Sequence, residues 1–294
     1  EATVPAPRRS AGKRLADLFQ GRPRLTVAAL LAAPLGWLVI GYLGSLGVML
    51  VASFWHLNEL SGEVTQGFSL DNYDVLFTDE VYRTIALRTI GIAAAVTVTD
   101  VILAFPIAFY MAKVAKPRMQ SLLVVAVLLP LWSSYLVKVG AWRLMLSEDG
   151  VINWALEPFG LHGPGYGTAA VWLVMSYMWL PYMIIPIYAG LERIPDSILS
   201  ASEDLGAKPW RTFRKVILPM SFPAVVAGSI FTFSLTLGDY ITPANVGTKQ
   251  FIGNVVYSNF VSNLPLAAAI TTIPIVVMVI YLLIARKLGA FDHV

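Results

Sequence analysis

Cysteine is absent from the 294 residues, and charge is scarce: Asp, Glu, Lys and Arg together make up 13% of the chain. Without cysteine there is no disulfide framework, no thiolate metal site and no cysteine nucleophile. The charge content is about half the roughly 25% of a soluble domain, too little to cover a water-soluble fold, so a soluble enzyme is excluded. Disorder requires low hydrophobicity and high charge, whereas 57% of these residues are hydrophobic and the mean hydropathy is +0.69. Catalytic motifs are missing as well. The sequence has no G-x-x-x-x-G-K-[ST] phosphate loop, no H-E-x-x-H and no G-x-S-x-G. Its three histidines, His56, His162 and His293, are far apart. Nothing points to a nucleotide site, a hydrolytic centre or a nucleic-acid partner, and a membrane-embedded enzyme has no paired catalytic groups to support it.

What the chain has is long apolar runs. A helix that crosses a bilayer needs about 20 mostly apolar residues. Six segments meet that length, at about 25–53, 85–112, 120–146, 167–190, 221–242 and 265–286. The expected fold is an all-α polytopic membrane protein with a tail over 1–24 and a six-span domain over 25–294. The first run is longer than one crossing, so it tilts or projects; it is too long for a signal peptide and has no small-residue cleavage pattern. Barrel strands are shorter and alternate in polarity, which disfavours a membrane barrel.

Lys and Arg set the direction of insertion. Arg8, Arg9, Lys13, Arg14, Arg22 and Arg24 precede the first span. Lys113, Lys116 and Arg118 join spans 2 and 3, and Arg193, Lys208, Arg211, Arg214 and Lys215 join spans 4 and 5. Arg286 and Lys287 follow span 6. The opposite loops hold only Arg83 and Lys249, against the acids Glu59, Glu63, Asp71, Asp74, Asp79, Glu80, Glu148, Asp149 and Glu157. Both termini are therefore expected in the cytoplasm. The first outer loop, about 55–84, is long enough for a short helix with Leu70, Tyr73, Val75, Leu76 and Phe77 as its apolar residues. The tail over 1–21 reads as disordered apart from a weakly amphipathic stretch, Leu15–Phe19.

The 4–5 connection, about 191–220, is longer than a turn requires. Pro195 and Asp196 open a helix that Asp196 or Ser197 would cap, with Ile198, Leu199 and Leu205 as its apolar stripe. Gly206 ends it, as glycine does just past a helix, and Lys208-Pro209-Trp210 begins a second short helix with a basic face. Pro219 and Pro223 bracket the start of span 5. On local chemistry alone this helix–glycine–helix hairpin is either a functional element or a basic loop that only orients the spans.

The hairpin resembles the cytoplasmic EAA loop of permease subunits of ATP-binding-cassette (ABC) importers, whose pattern is E-A-A-x3-G-x9-I-x-L-P. Here Ser200-Ala201-Ser202 is followed after three residues by Gly206, and after nine more by Val216-Ile217-Leu218-Pro219. Ala201, Gly206, Leu218 and Pro219 match; Ser200 and Ser202 depart from the family's Glu and Ala, and the acids Glu203 and Asp204 come just after. The resemblance covers most of the chain, including the run Trp179 to Pro186 in span 4. It implies a type I importer permease fold and a prokaryotic plasma-membrane location. It also implies that Ser200, Ala201, Ser202, Glu203, Asp204, Gly206 and Ala207 couple the spans to a separate ATPase dimer. ATP and Mg would then sit on that partner, with no cofactor and no catalysis on this chain. A second permease subunit, a paralogue, would complete the pore, and an extracytoplasmic binding protein would deliver the solute.

Span 5 ends in Leu237-Gly-Asp-Tyr-Ile-Thr-Pro243, which resembles spermidine/putrescine permeases and implies a polyamine substrate. Importers for iron, sulfate or thiamine share the scaffold and are the alternatives. An ion-driven secondary transporter is the competing class; it predicts an inverted repeat and leaves the basic loop without a purpose. Intramembrane acids are expensive and either functional or paired. Asp239, about 25 Å along span 5 at 1.5 Å per residue, and Asp100, near the middle of span 2, are thus candidates for the path. Tyr240, Trp132, Tyr135, Trp172, Tyr177 and Trp179 offer aromatic faces for ammonium and methylene groups. Trp and Tyr also collect at bilayer interfaces whatever their function. Lys138 lies at a similar outer depth in span 3, so Asp239 reads either as a substrate contact or as the counter-ion of Lys138. Asp100 reads as a substrate contact or as a buried, hydrogen-bonded packing residue.

Overall fold

The computed structural model describes residues 23–58 and 61–287. The basic tail before Pro23, the stretch Leu15–Phe19, Glu59 and the last seven residues lie outside them. The chain divides after Ala52 into two units. The first holds α1 (Pro23–Trp37), a π-helical segment Leu38–Leu43 and α2 (Gly44–Ala52). Together they give an apolar helix over Thr26–Ala52. Its 27 residues rise about 40 Å at 1.5 Å each, more than the roughly 30 Å hydrocarbon core.

The second unit opens with a two-stranded ribbon, β1 (His56–Leu57) antiparallel to β2 (Val64–Thr65), paired His56 to Thr65 and Leu57 to Val64. The expected outer-loop helix follows as α3 (Asp71–Thr78). Its Leu76 is buried and Tyr73 packs beside it, whereas Leu70, Val75 and Phe77 are exposed. The spans are α4 (Glu80–Phe109), prolonged by a π segment Tyr110–Val114; α5 (Pro117–Trp132) with α6 (Tyr135–Met145); α8 (Thr168–Glu192); α11 (Leu218–Gly238); and α14 (Leu264–Lys287). A short α7 (Val151–Leu156) links α6 to α8. Among the described residues, five helices are long and apolar enough to cross a membrane, or six if the bent pair α5–α6 counts as one span.

Three spans form the centre. On α4 the buried residues Ile85, Thr89, Ala93, Val96, Asp100, Ala104 and Ala108 recur every three or four positions and make one helical face. Leu87, Val98, Ile102 and Leu103 point outward and are exposed, as residues facing lipid are. α8 packs between α4 and α11. Small residues let backbones approach where no hydrophobic force acts between helices. A Cβ on Gly228 would lie 2.8 Å from Met183 Sδ and 3.2 Å from its Cα, and one on Gly190 would lie 2.3 Å from Ala224 Cβ. Neither α8–α11 contact admits a larger side chain.

Three elements depart from the sequence expectation. The run 120–146 is not one straight helix: α5 and α6 meet at 90°. Ser133 and Ser134 between them are extended, and the Pro130 carbonyl, freed from the helix, accepts from Ser133 Oγ at 2.8 Å and Lys138 Nζ at 3.1 Å. Span 5 does not run to residue 242 but ends at Gly238, where Asp239 turns extended and α12 (Ile241–Val246) begins. At its other end there is no separate second hairpin helix: α10 (Pro209–Thr212) continues through a π segment, Phe213–Ile217, into α11. α13 (Ile252–Ser262) completes the unit.

Candidate functional site

The 4–5 hairpin forms as its residues dictate. α9 (Asp196–Asp204) stops at Leu205, and Gly206 takes φ +73°. The Gly206 N–H then donates to Glu203 O at 2.8 Å and the Ala207 N–H to Ser202 O at 3.1 Å. This is the glycine-terminated cap in which two backbone donors satisfy carbonyls left open by the helix end. Ser202 and Thr212 hydroxyls meet at 2.9 Å and tie the two arms together.

Asp196 does not cap α9. Pro195 holds the cap position without a side-chain bond, and Asp196, in the first turn, pairs instead with Lys113 at 3.0 Å. Lys113 Nζ also donates to Ile194 O at 2.6 Å, so the end of α4 grips the base of the hairpin. The proposed apolar stripe divides. Leu199 packs into a core of Met111, Leu191, Ile194 and Ile217, whereas Leu205 is 88% and Trp210 68% exposed. Trp210 stacks on Phe213 at 5.4 Å, and Phe213 meets Phe105 of α4 edge-on at 5.5 Å. The exposed tip is thus joined by ring contacts to the body of a span.

The second constellation sits at the break after α11. Asp239 is 9% exposed. Its Oδ1 accepts from the N–H groups of Ile241 at 2.9 Å and Thr242 at 3.1 Å, which caps α12. Its Oδ2 accepts from the Tyr135 hydroxyl. With that proton committed, Thr242 Oγ1, 2.7 Å from the phenol oxygen, donates to it. Lys138 is not the counter-ion. Its ammonium turns to the Pro130 carbonyl in the kink, and no carboxylate among the described residues lies within ion-pair distance of it. The 90° bend explains the difference, because depth counted along a straight span 3 does not apply.

Two stacked ring pairs include Tyr135, bonded to the carboxylate, and Tyr240, its chain neighbour. Tyr135 stacks on Trp179 at 5.8 Å, and Tyr240, next to Asp239, stacks on Tyr257 of α13 at 4.7 Å. Tyr177, two residues before Trp179 and so on the other side of α8, leans on Trp142 at 5.3 Å. Trp172 donates to Thr99 Oγ1 at 3.1 Å. Trp132, at the end of α5, is 88% exposed and joins none of these pairs. Asp100 has no exposed surface, and neither of its oxygens has a hydrogen-bond partner among the described residues. It is buried as a packing residue would be, but without the expected bonds. Thr242, Tyr257 and Asn254, which donates to Tyr240 O at 2.7 Å, escaped the sequence reading. Only Thr242 had a local signal: Asp239 three residues before Thr242-Pro243 is a helix-start spacing.

The comparisons agree with this architecture. Residues 86–290 match the family described as binding-protein-dependent transport system inner membrane component. The chain is 44% identical over 305 residues to the inner membrane ABC transporter permease protein YdcU of Escherichia coli K12, covering 98% of this chain and 97% of that protein. It is 28% identical over 257 residues to the spermidine/putrescine transport system permease protein PotB of the same organism, covering 85% and 92%. A crystal structure of a bacterial alginate ABC transporter, in complex with a periplasmic protein bound to an alginate pentasaccharide, superposes with a TM-score of 0.67 at 18% identity, covering 92% and 96%; at that identity it speaks for the fold. A multi-pass helical chain of this kind, with its Gly206 hairpin between two spans, belongs to the binding-protein-dependent inner membrane components, the permease subunits of bacterial ABC importers.

Proposed function

We propose that this permease carries a polyamine, and that Asp239 lies on its path. The observation that carries the reading is a carboxylate with no basic partner among the described residues, held by a phenol and two backbone N–H groups, with Tyr135 and its neighbour Tyr240 each in a ring stack. Ammonium groups need a carboxylate, and the methylenes between them need aromatic faces. Tyr240, Tyr135, Tyr177 and Trp179 supply these faces, and the 28% identity to PotB supports the same substrate class.

The hairpin residues Ser200, Ala201, Ser202, Glu203, Asp204, Gly206 and Ala207 dock on an ATPase dimer, with Leu205 and Trp210 as the exposed apolar contacts. Closing that dimer would drive the hairpin, and Lys113 and the Trp210–Phe213–Phe105 rings would pass the motion to α4 and α11. A paralogous permease completes the pore, a binding protein docks on the acidic outer loops, and both termini face the cytoplasm. The test is solute binding by the cognate binding protein together with uptake by the reconstituted complex. Spermidine and putrescine should each bind and compete for uptake. Uptake of ferric iron, sulfate or thiamine that excess polyamine leaves unchanged overturns the substrate.

A further inference from the structure

Three buried polar groups on α4 and α8 have no partner among the described residues: both oxygens of Asp100, Ser176 Oγ and Trp179 Nε1. Burying such groups unpaired is costly and in a native protein calls for an explanation. Their placement is shared. On α4, Asp100 lies one turn from Val96 and one turn from Ala104. Val96 packs in the cluster that holds Met175 and Met178, with Trp179 against it, and Ala104 packs with Met183, Ile184 and Leu180. Ser176 and Trp179 therefore fall at the depth of Asp100 on the neighbouring span. On α8, Trp172, Ser176, Trp179 and Met183 follow helical spacing and form one stripe, and the Trp172–Thr99 bond ties that stripe to α4.

The chemistry of the three groups selects the guest. The indole N–H of Trp179 donates only, so the guest must accept. The carboxylate of Asp100 needs donors, so the guest must also donate. A metal ion or an alkylammonium group cannot accept from the indole, and chloride cannot donate to the carboxylate. Water does both, and buried waters usually make about three hydrogen bonds to groups left otherwise unsatisfied. We infer that Asp100, Ser176 and Trp179 form an internal site for water, about one or two molecules, that bridges α4 to α8 in mid-membrane. The site is chemically distinct from Asp239, whose oxygens are already met by three donors. Trp179 joins the two: its ring stacks on Tyr135 while its N–H serves the water.

The test uses the assembled transporter in lipid nanodiscs. High-resolution density should show an ordered peak within hydrogen-bond distance of at least two of the three groups. Trp179→Phe, which keeps a ring and deletes the donor, and Ser176→Ala should each lower the thermal midpoint by a few degrees. The loss should be equal in sodium, potassium and choline buffers. Asp100→Leu combined with Ser176→Ala and Trp179→Phe removes every group that needs a partner, so this triple variant should recover much of the loss. Three results overturn the proposal: a direct Trp179–Asp100 hydrogen bond with no density between, a midpoint that rises with one particular cation, or polyamine binding to the complex that Asp100→Asn abolishes. The Trp179 and Ser176 variants keep the test decisive if Asp100→Asn fails to assemble.

Discussion

The Gly206 hairpin and the Asp239 break are both polar constructions in an apolar chain, but they are held together over very different distances. Every bond that shapes the hairpin tip lies within about a dozen residues: the backbone donors of Gly206 and Ala207, the Ser202–Thr212 hydroxyl pair and the Trp210–Phe213 stack. At Asp239 the two backbone donors are local, but the phenol comes from Tyr135 and the neighbouring ring from Tyr257. Local construction gives a rigid part that moves as one body. Construction across helices gives a site whose groups are brought together by packing, and which any relative motion of those helices would change. Those are the opposite properties that the proposed roles, coupling for the hairpin and solute contact for Asp239, would call for.

The comparison breaks first at Gly206. Its φ of +73° lies in the left-handed region, where a β-branched residue is strongly disfavoured. A Cβ there meets no neighbour within 4 Å, so the effect of Gly206→Val is backbone strain, about 1–3 kcal/mol. The hairpin should refold or fray while the six spans still insert. Stimulation of ATP hydrolysis by the loaded binding protein should fall to the unstimulated rate. Normal stimulation in this variant would show that the glycine turn does not carry the coupling.

Asp239→Asn tests the other region. The volume is kept and the charge is lost. A hydrogen bond to a charged group contributes about 1.5–3 kcal/mol, so polyamine uptake should drop roughly ten- to hundredfold in complexes that assemble normally. Lys138→Met should not restore it, because Lys138 is bonded to the Pro130 carbonyl and not to Asp239. Rescue of both assembly and uptake by the double variant would reinstate the ion pair and remove Asp239 from the path. Tyr135→Phe sharpens the point: it takes one donor from a carboxylate that keeps two others, so its loss of uptake should be smaller.

This division also decides how much could be read from the sequence. The spans, their number and the hairpin follow from periods, caps and a glycine, all of which are local signals. Gly206 is legible because a left-handed residue after a helix favours one amino acid. The 90° bend at Ser133 is less so: Pro130 and two serines permit a break, but prolines in membrane helices are tolerated without one, as Pro181 and Pro186 in the uninterrupted α8 demonstrate. Once the bend was missed, the depth of Lys138 was wrong, and so was its pairing with Asp239. The carboxylate itself was found because an acid in an apolar run stands out. Its phenol partner, Tyr135, is among the aromatic candidates of the sequence, but nothing local marks it as the group that bonds Asp239. Asp196 shows the converse failure. Its position suggested a local cap, but Lys113, distant in sequence and only 10% exposed, offered a charge, and the ion pair won.

The smallest expected effect concerns that same pair, where the hairpin is fastened to α4. Lys113 is nearly buried and Asp196 is 88% exposed, so the two halves of the interaction should not weigh equally. An ion pair with one solvated partner contributes about 0.2–1 kcal/mol and weakens with salt. Asp196→Asn should therefore lower coupled uptake less than about fivefold, with a difference from the parent that shrinks as salt is raised. Lys113→Met removes the ion pair and also the donor to the Ile194 carbonyl, which leaves an acceptor unmet next to the buried Ile194 side chain, at about 1–3 kcal/mol. It should lower uptake more, and the part due to the carbonyl should not respond to salt. A double-variant cycle separates the two terms. If Asp196→Asn equals Lys113→Met in size and in salt response, the carboxylate alone anchors the hairpin. The fastening would then be a charge contact of the cytoplasmic surface and not part of the packed body of the span.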